Sequence, residues 1–293
     1  MHAFLLHNGE IHPTSEKLVS PGKVGYLNGW GVFSTIQVAG GVLFAYERHW
    51  ARMRRDALLL NVPFPEEPDD LRAQLLALVE ANQAYDATLR VAVVRNRGGL
   101  FEGDQIGRDY DVVAFTTGLT EWGAGVRLAV QRQARHSGCP FAGTKILSWS
   151  FNLAWLEEAR KRGFDEVILL NERDEVSECT SANLFVARDG EVRTPPLDSG
   201  CLPGITREIL LELAGSAGIA AREQPLRLAD LYKADAVFIT STTRGLLPVV
   251  AIEDTDISHD ESARGPLAAA FARYLSAYVA DARRQGQGVT VRS

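Results

Sequence analysis

Along "VFSTIQV" apolar and polar residues alternate with the period of two that puts successive side chains on opposite faces of a strand, and a second strand, "VLFAY", follows the Gly40-Gly41 turn. Phe33 and Thr35, two apart, share one sheet face. The period then changes. In "ERHWARMRRDALLLNVP" Trp50, Met53, Ala57 and Leu60 recur at helical spacing, the stripe of a helix that ends before Pro63, while Arg48, Arg52 and Arg55 fall along a neighbouring face. "DDLRAQLLALVEANQ" predicts a second helix, with Leu71, Leu75, Leu78 and Val79 inward and Asp69 or Asp70 as its N-cap.

Around these lie β-rich runs. "AFLLHNGEIHP" turns at Asn8-Gly9, a hairpin dipeptide, and "TLRVAVVR" and "DYDVVAFTT" flank the loop "NRGGLFEGDQIGR", which is long for a connection between two strands. In "GYLNGWG" the glycines Gly25, Gly29 and Gly31 permit backbone approaches that a side chain blocks. Beyond "LTEWGAG" the pattern begins again with the strand "VRLAVQRQ". An amphipathic helix follows, then the apolar strand "DEVILLN", then "VSECTSANLFV", read as one strand, and a hairpin into "EVRT" at Asp189-Gly190. "GITREILLELAGSAGI" predicts a helix stopped by Gly215 or Gly218, "ADAVFITSTTRGLLPV" a strand ending in a hydroxyl-rich turn, and "GPLAAAFARYLSAYVADARR" a long last helix. The tail "QGQGVTVRS" offers little to hold it down. Two unequal α+β halves result: 1–118, a linker at 119–125, and 126–293.

Composition narrows the class without naming a chemistry. The chain has 293 residues, 46% hydrophobic and 23% charged, within the globular range, and a formal net charge of -6 with no long basic run argues against nucleic acid as a partner. No apolar stretch reaches the 18 or so residues of a membrane span, and the N-terminus lacks the pattern of a secretory signal, so a cytoplasmic protein is expected. Cys139, Cys179 and Cys201 are odd in number and scattered. They read as reduced thiols, and no metal site is suggested.

The chemistry concentrates between Thr144 and Glu208. Taken alone, Lys145 in "FAGTKILSW" reads first as an ordinary lysine at a strand end. Its place in a series changes the reading: Glu178 follows about thirty residues on, among Thr180, Ser181 and Asn183, and the Gly/Pro-rich "LDSGCLPGITRE" opens a helix about thirty beyond that. An amine, a carboxylate and a helix N-terminus suit a cofactor with an aldehyde, a ring nitrogen and a phosphate.

In "SECTSANLF", "TPPLDSGCLPGITRE" and "DAVFITSTT..LLPV", with "GVFSTI" and "ERHWARM" in support, the chain resembles the class IV (fold type IV) pyridoxal-phosphate enzymes over nearly its whole length. That family contains branched-chain and D-amino-acid aminotransferases, (R)-amine transaminases and aminodeoxychorismate lyase. The resemblance implies a two-domain α+β fold with pyridoxal 5'-phosphate between the domains, and a homodimer. It makes Lys145 the lysine that joins the cofactor as an aldimine and shuttles protons, Glu178 the partner of the ring nitrogen, and Arg52, in the family's H-x-x-R-L segment, a phosphate ligand together with Ile205, Thr206, Ser241 and Thr242.

The resemblance also locates departures. Ser34 follows Phe33 where the aminotransferases often have Glu, and "GWG" stands for "GDG". The long loop carries Leu100 and Glu102 where D-amino-acid aminotransferases have Arg-x-His, and Leu100 also stands in place of the lyase's arginine. Substrate contacts are therefore expected from Phe33 and Thr35 and from Arg95 or Arg97, the loop arginines that substitute for the missing pair while Leu100, Phe101 and Ile106 are covered by a partner subunit. The implied reaction is transfer of an amino group from a branched-chain-like amino acid to a 2-oxo acid. The alternatives are aminodeoxychorismate lyase, which Cys179 and the non-acidic "VFST" favour, and a D-amino-acid or (R)-amine transaminase.

Overall fold

The computed structural model describes residues 1–99, 102–103 and 106–289. Two compact units divide the chain, one of Met1–Thr120, Lys145–Trp149 and Leu275–Ser293, the other of Glu121–Thr144 and Ser150–Tyr274. The first division falls inside 119–125. The lysine segment and the C-terminal stretch group with the N-terminal half rather than with 126–293, because hydrogen bonds tie both to it.

The first unit contains β1 (Phe4–His7), β2 (Glu10–Pro13), α1 (Val24–Asn28), β3 (Gly31–Ala39), β4 (Val42–Leu43), α2 (Tyr46–Leu59), α3 (Pro68–Ala81), β5 (Ala87–Arg95) and β6 (Tyr110–Thr117). Its sheet runs β2-β1-β6-β5-β3-β4, antiparallel throughout. The strand period decides its two faces. Val32, Ile36 and Val38 of β3 and Leu89, Val91 and Val93 of β5 are buried in one core with Trp50, Met53 and Ala57 of α2 and Leu71, Leu75, Leu78 and Val79 of α3. Phe33, Thr35 and Arg90 alternate onto the opposite face.

Three local readings change. α3 begins with Pro68 at its first turn and Glu67 as N-cap, two residues ahead of Asp69, since proline there gives up no helical hydrogen bond. "VLFAY" is a strand only at Val42–Leu43, because Ala45 turns the chain with a φ of 52° into α2. The tail is held: Val289 N–H donates to Gly41 O at 3.0 Å, Gly288 bridges Val42, and Val289 packs on the core.

The second unit contains β7 (Val126–Arg135), α4 (Ser150–Lys161), β8 (Glu166–Asn171), β9 (Val176–Cys179), β10 (Asn183–Arg188), β11 (Glu191–Thr194), α5 (Ile205–Ala214), β12 (Ala220–Glu223), α6 (Leu228–Tyr232), β13 (Ala236–Ser241), β14 (Gly245–Ile252) and β15 (Thr255–Asp256). The long helix α7 (Glu261–Arg284) starts in this unit and ends in the first. Its sheet is mixed, with order β12-β11-β10-β13-β14-β7-β8-β9 and β15 on β14. "VSECTSANLFV" is two strands, β9 and β10, broken at Thr180–Ala182. The break follows from a buried acid: Glu166 takes hydrogen bonds from the hydroxyls of Thr180 and Ser181 and pairs with Arg244 at 3.3 Å. Those bonds satisfy a carboxylate only 1% exposed.

Candidate active site

In the first unit the lysine segment is stitched to the sheet by its main chain. Phe33 N–H donates to Lys145 O at 3.0 Å, Leu147 N–H to Gly31 O at 3.0 Å, and Val32 bridges Ile146. Gly31 permits this approach, for a Cβ there would lie 2.5 Å from Val93 O and 2.6 Å from the Leu147 side chain. Asp56, at the end of α2 and buried, accepts the Lys145 N–H at 2.9 Å. The lysine backbone is thus fixed on both sides of its side chain.

The side chain extends over Phe33, with Nζ 4.7 Å from the ring centroid. Arg90 is the second cation on that ring, its guanidinium carbon 3.8 Å from the centroid. It arrives there because β5 pairs Arg90 with Thr35, which makes it the diagonal neighbour of Phe33 on the same face. Burial lowers its pKa, and it has no ion pair or hydrogen bond among the described residues. Sequence reading passed over Arg90, although its place two residues from Ala92, the register partner of Phe33, is legible once β3 and β5 are paired.

Arg95 and Arg97 are engaged elsewhere. Arg95 stacks on Trp30 at 4.3 Å and donates to the carbonyls of Asn61 and Arg97. Arg97 donates to Ile106 O and faces Asp109 at 3.6 Å. Ile106 is buried by the chain itself. Leu100 and Phe101 lie outside the described residues. The guanidinium on the Phe33 ring is that of Arg90.

Arg52 is buried on α2 and donates from Nη2 to Ser34 Oγ at 3.0 Å. Ser34 also contacts His49 Nδ1 at 2.7 Å. Burial, and after it the charges of Arg52 and Lys145, hold the His49 pKa well below the usual value and keep the ring neutral.

In the second unit Glu178 is shielded, with 13% of its side chain exposed. Arg135 donates to its Oε1 from Nε and Nη2 at 3.3 Å each, and the Leu202 N–H donates to Oε2 at 3.1 Å. Arg135 is itself oriented by Asn152, whose Oδ1 accepts at 3.1 Å and whose Nδ2 donates to Thr180 O at 2.8 Å. Neither Arg135 nor Asn152 was singled out from sequence, since both sit on elements remote from Glu178 in the chain. Thr180 and Ser181 serve Glu166, and Asn183 donates to Leu202 O at 2.9 Å.

Ile205 and Thr206 open α5, whose N-cap is Gly204 with no capping side chain. A Cβ on Gly204 would fall 1.9 Å from Asn183 Oδ1, so a side chain there requires Asn183 to move. Among the described residues the buried hydroxyls of Thr206, Thr240 and Ser241 have no hydrogen-bond partner. Thr242 follows in the turn after β13, half-buried. Three unsatisfied hydroxyls in one unit with an uncapped helix start are donors for an anionic ligand. Burial, and after it the charge of Glu178, pushes the Cys201 thiol up to about 11, and burial raises Cys179 as well, so both stay protonated thiols.

The family model for amino-transferase class IV matches residues 31–252. The chain belongs to the class IV aminotransferases. A D-alanine aminotransferase of Bacillus licheniformis is 30% identical over 267 residues, 90% of this chain and 92% of that protein. The branched-chain-amino-acid aminotransferase of Salmonella typhimurium is 30% identical over 236 residues, covering 78% of this chain and 76% of its own. The crystal structure of a branched-chain aminotransferase from Thermoproteus uzoniensis, with norvaline, superposes with a TM-score of 0.84 at 25% identity over 94% of this chain and 96% of that one. The mixed architecture is therefore that of the fold type IV aminotransferases. Class IV aminotransferases use pyridoxal 5'-phosphate. The residues of this class IV chain fit it: an amine beside an aromatic ring, a shielded carboxylate, a buried arginine and a set of unsatisfied hydroxyls match the cofactor's aldehyde, ring nitrogen and phosphate.

Proposed function

We propose that the chain transfers amino groups from branched-chain-type amino acids to 2-oxo acids. The observation that carries the reading is the sharing of the Phe33 ring by Lys145 Nζ, at 4.7 Å, and the Arg90 guanidinium, at 3.8 Å. A planar, partly desolvated guanidinium with no ion pair or hydrogen bond among the described residues suits a substrate carboxylate bound bidentately. The amine that would have to reach the α-carbon of the same substrate lies over the same ring. Phe33 and Thr35 wall that face.

Bound pyridoxal 5'-phosphate supplies a carbonyl for the substrate amine and a ring that withdraws electrons from the α-carbon. Arg52, the N–H groups of Ile205 and Thr206, and the hydroxyls of Ser241 and Thr242 would hold its phosphate. Glu178, held by Arg135 and the Leu202 N–H, would face the ring nitrogen and keep it protonated. Lys145 Nζ would take and hold the proton of the substrate α-carbon, while the fixed main chain on either side keeps its reach constant. The cofactor is the shared property of the family; the branched-chain donor and these individual roles are the reading.

Three free cysteines suit the reducing cytoplasm, and the relatives' family supports a homodimer as the working form. The test is a donor panel followed by half-reaction spectra. L-Leucine, L-valine and L-isoleucine should bleach the cofactor's absorbance and 2-oxoglutarate should restore it. Turnover of D-alanine in their place moves the assignment to the D-amino-acid branch, and pyruvate release from aminodeoxychorismate moves it to the lyase. Borohydride reduction of the yellow protein should leave the pyridoxyl group on Lys145, and a label on any other lysine removes that residue from its role.

A further inference from the structure

Ser34 lies on the core face of β3 between Val32 and Ile36, where the strand period calls for an apolar side chain, and it is wholly shielded from solvent. A hydroxyl in that place is costly unless bonded. Its Oγ has two partners among the described residues, Arg52 Nη2 at 3.0 Å and His49 Nδ1 at 2.7 Å. A guanidinium only donates, so Oγ accepts from Arg52. The buried hydroxyl hydrogen has His49 Nδ1 as its one acceptor among the described residues, and donating there leaves no buried O–H unsatisfied. With Nδ1 accepting, the proton of the neutral imidazole sits on Nε2, and Nε2 is itself buried with no partner among the described residues. An N–H left this way is a donor held in reserve for something other than the chain.

We propose that Ser34 is a positioning residue for the cofactor phosphate: by accepting from Arg52 and donating to His49 it fixes the guanidinium before the ligand arrives, and it holds His49 as the Nε2–H tautomer, a further donor to the bound cofactor. The inference rests on the reading of Arg52 as a phosphate ligand. Two physical consequences favour a hydroxyl here. An arginine immobilised in advance loses less rotamer freedom on binding. An uncharged acceptor at position 34 also adds no negative charge beside Arg52, whereas a carboxylate there would compete with the phosphate for the guanidinium.

The experiment compares pyridoxal 5'-phosphate with pyridoxal, which lacks the phosphate, by equilibrium titration of the full-length apoprotein. Ser34→Ala should weaken the phosphorylated ligand at least tenfold and leave pyridoxal within about twofold, while Ser34→Thr, which keeps the hydroxyl, stays within about threefold of the parent for both. Equal affinity of Ser34→Ala and parent for pyridoxal 5'-phosphate overturns the inference and leaves the proposed function standing, as does an equal loss for both ligands, which marks a purely structural role. A parent that binds neither ligand overturns the cofactor reading and this inference with it. Should Ser34→Ala not fold, the parent holoenzyme decides. Its long-range 15N spectrum should show His49 with an unprotonated Nδ1 and a protonated Nε2, and the opposite tautomer overturns the inference.

Discussion

Asp56 Oδ2 accepts the backbone N–H of Lys145 at 2.9 Å, so the helix that carries Arg52 also fixes the lysine, four residues further on. Asp56 Oδ1 meanwhile takes the Arg55 Nε–H at 2.9 Å. Asp56→Ala removes the wholly buried carboxylate that accepts the Lys145 N–H, a loss of about 1–3 kcal/mol of stability. Asp56→Asn keeps an acceptor for Lys145 and should lose less. Urea unfolding measures the first effect. Half-reaction rates measure the second, with Asp56→Ala slower than Asp56→Asn; equal rates would separate Asp56 from the lysine's function.

Glu178→Gln keeps the shape of a side chain that Arg135 and the Leu202 N–H already orient, and removes the charge. The variant should retain pyridoxal 5'-phosphate and slow the proton-transfer step by a hundredfold or so, with KM changed little, as for an interaction made mainly in the transition state. Single-turnover absorbance separates the two quantities. An unchanged rate would detach Glu178 from the ring nitrogen.

How far the sequence reaches is visible in these residues. The β3 alternation, the α2 and α3 stripes and the Asn8-Gly9 turn are local, and each is present in the fold because the same period that marks it also buries it. Lys145, Glu178 and the start of α5 were legible as a series. Arg90, Arg135 and Asp56 were not, because each owes its position to a partner distant in sequence: Thr35 across the sheet for Arg90, Glu178 for Arg135, the Lys145 main chain for Asp56. Ser34 was legible as a departure from the family, but its bonds to His49 and Arg52 depend on α2 packing over β3.

The buried histidine sets a pH dependence. His49 is held neutral by desolvation and by the positive charges of Arg52 and Lys145, so its folded-state pKa lies below the unfolded value of about 6.5. Below that pH the unfolded chain binds a proton that the folded chain refuses. Its contribution to stability is whole above about pH 6.5 and falls by up to about 1.4 kcal/mol per pH unit as the pH drops from there toward the folded pKa. Urea midpoints of the parent between pH 7.5 and 5.5 should fall accordingly, and His49→Gln, which has nothing to titrate, should show a shallower slope. Parallel slopes would mean that His49 does not supply the effect.

Arg90 offers the sharpest division between substrate classes. Its guanidinium stacks on Phe33 with no ion pair or hydrogen bond among the described residues, so replacing it leaves no carboxylate stranded in the fold. Arg90→Met keeps much of the contact with the ring and loses the charge. If Arg90 receives the substrate carboxylate, the variant loses a charge-assisted hydrogen bond of about 1.5–3 kcal/mol, a rise of roughly tenfold to a hundredfold in KM for L-leucine and 2-oxoglutarate. Simple amines without a carboxylate make no such contact, and their KM should stay near that of the parent. Arg95→Ala and Arg97→Ala, whose guanidinium groups donate to the main-chain carbonyls of Asn61 and Ile106, should affect both donor types alike. Steady-state kinetics with leucine and an unsubstituted primary amine decides between them. Equal losses for both donors in Arg90→Met, or a carboxylate-selective loss in Arg97→Ala, would move carboxylate recognition off β5 and onto the long loop.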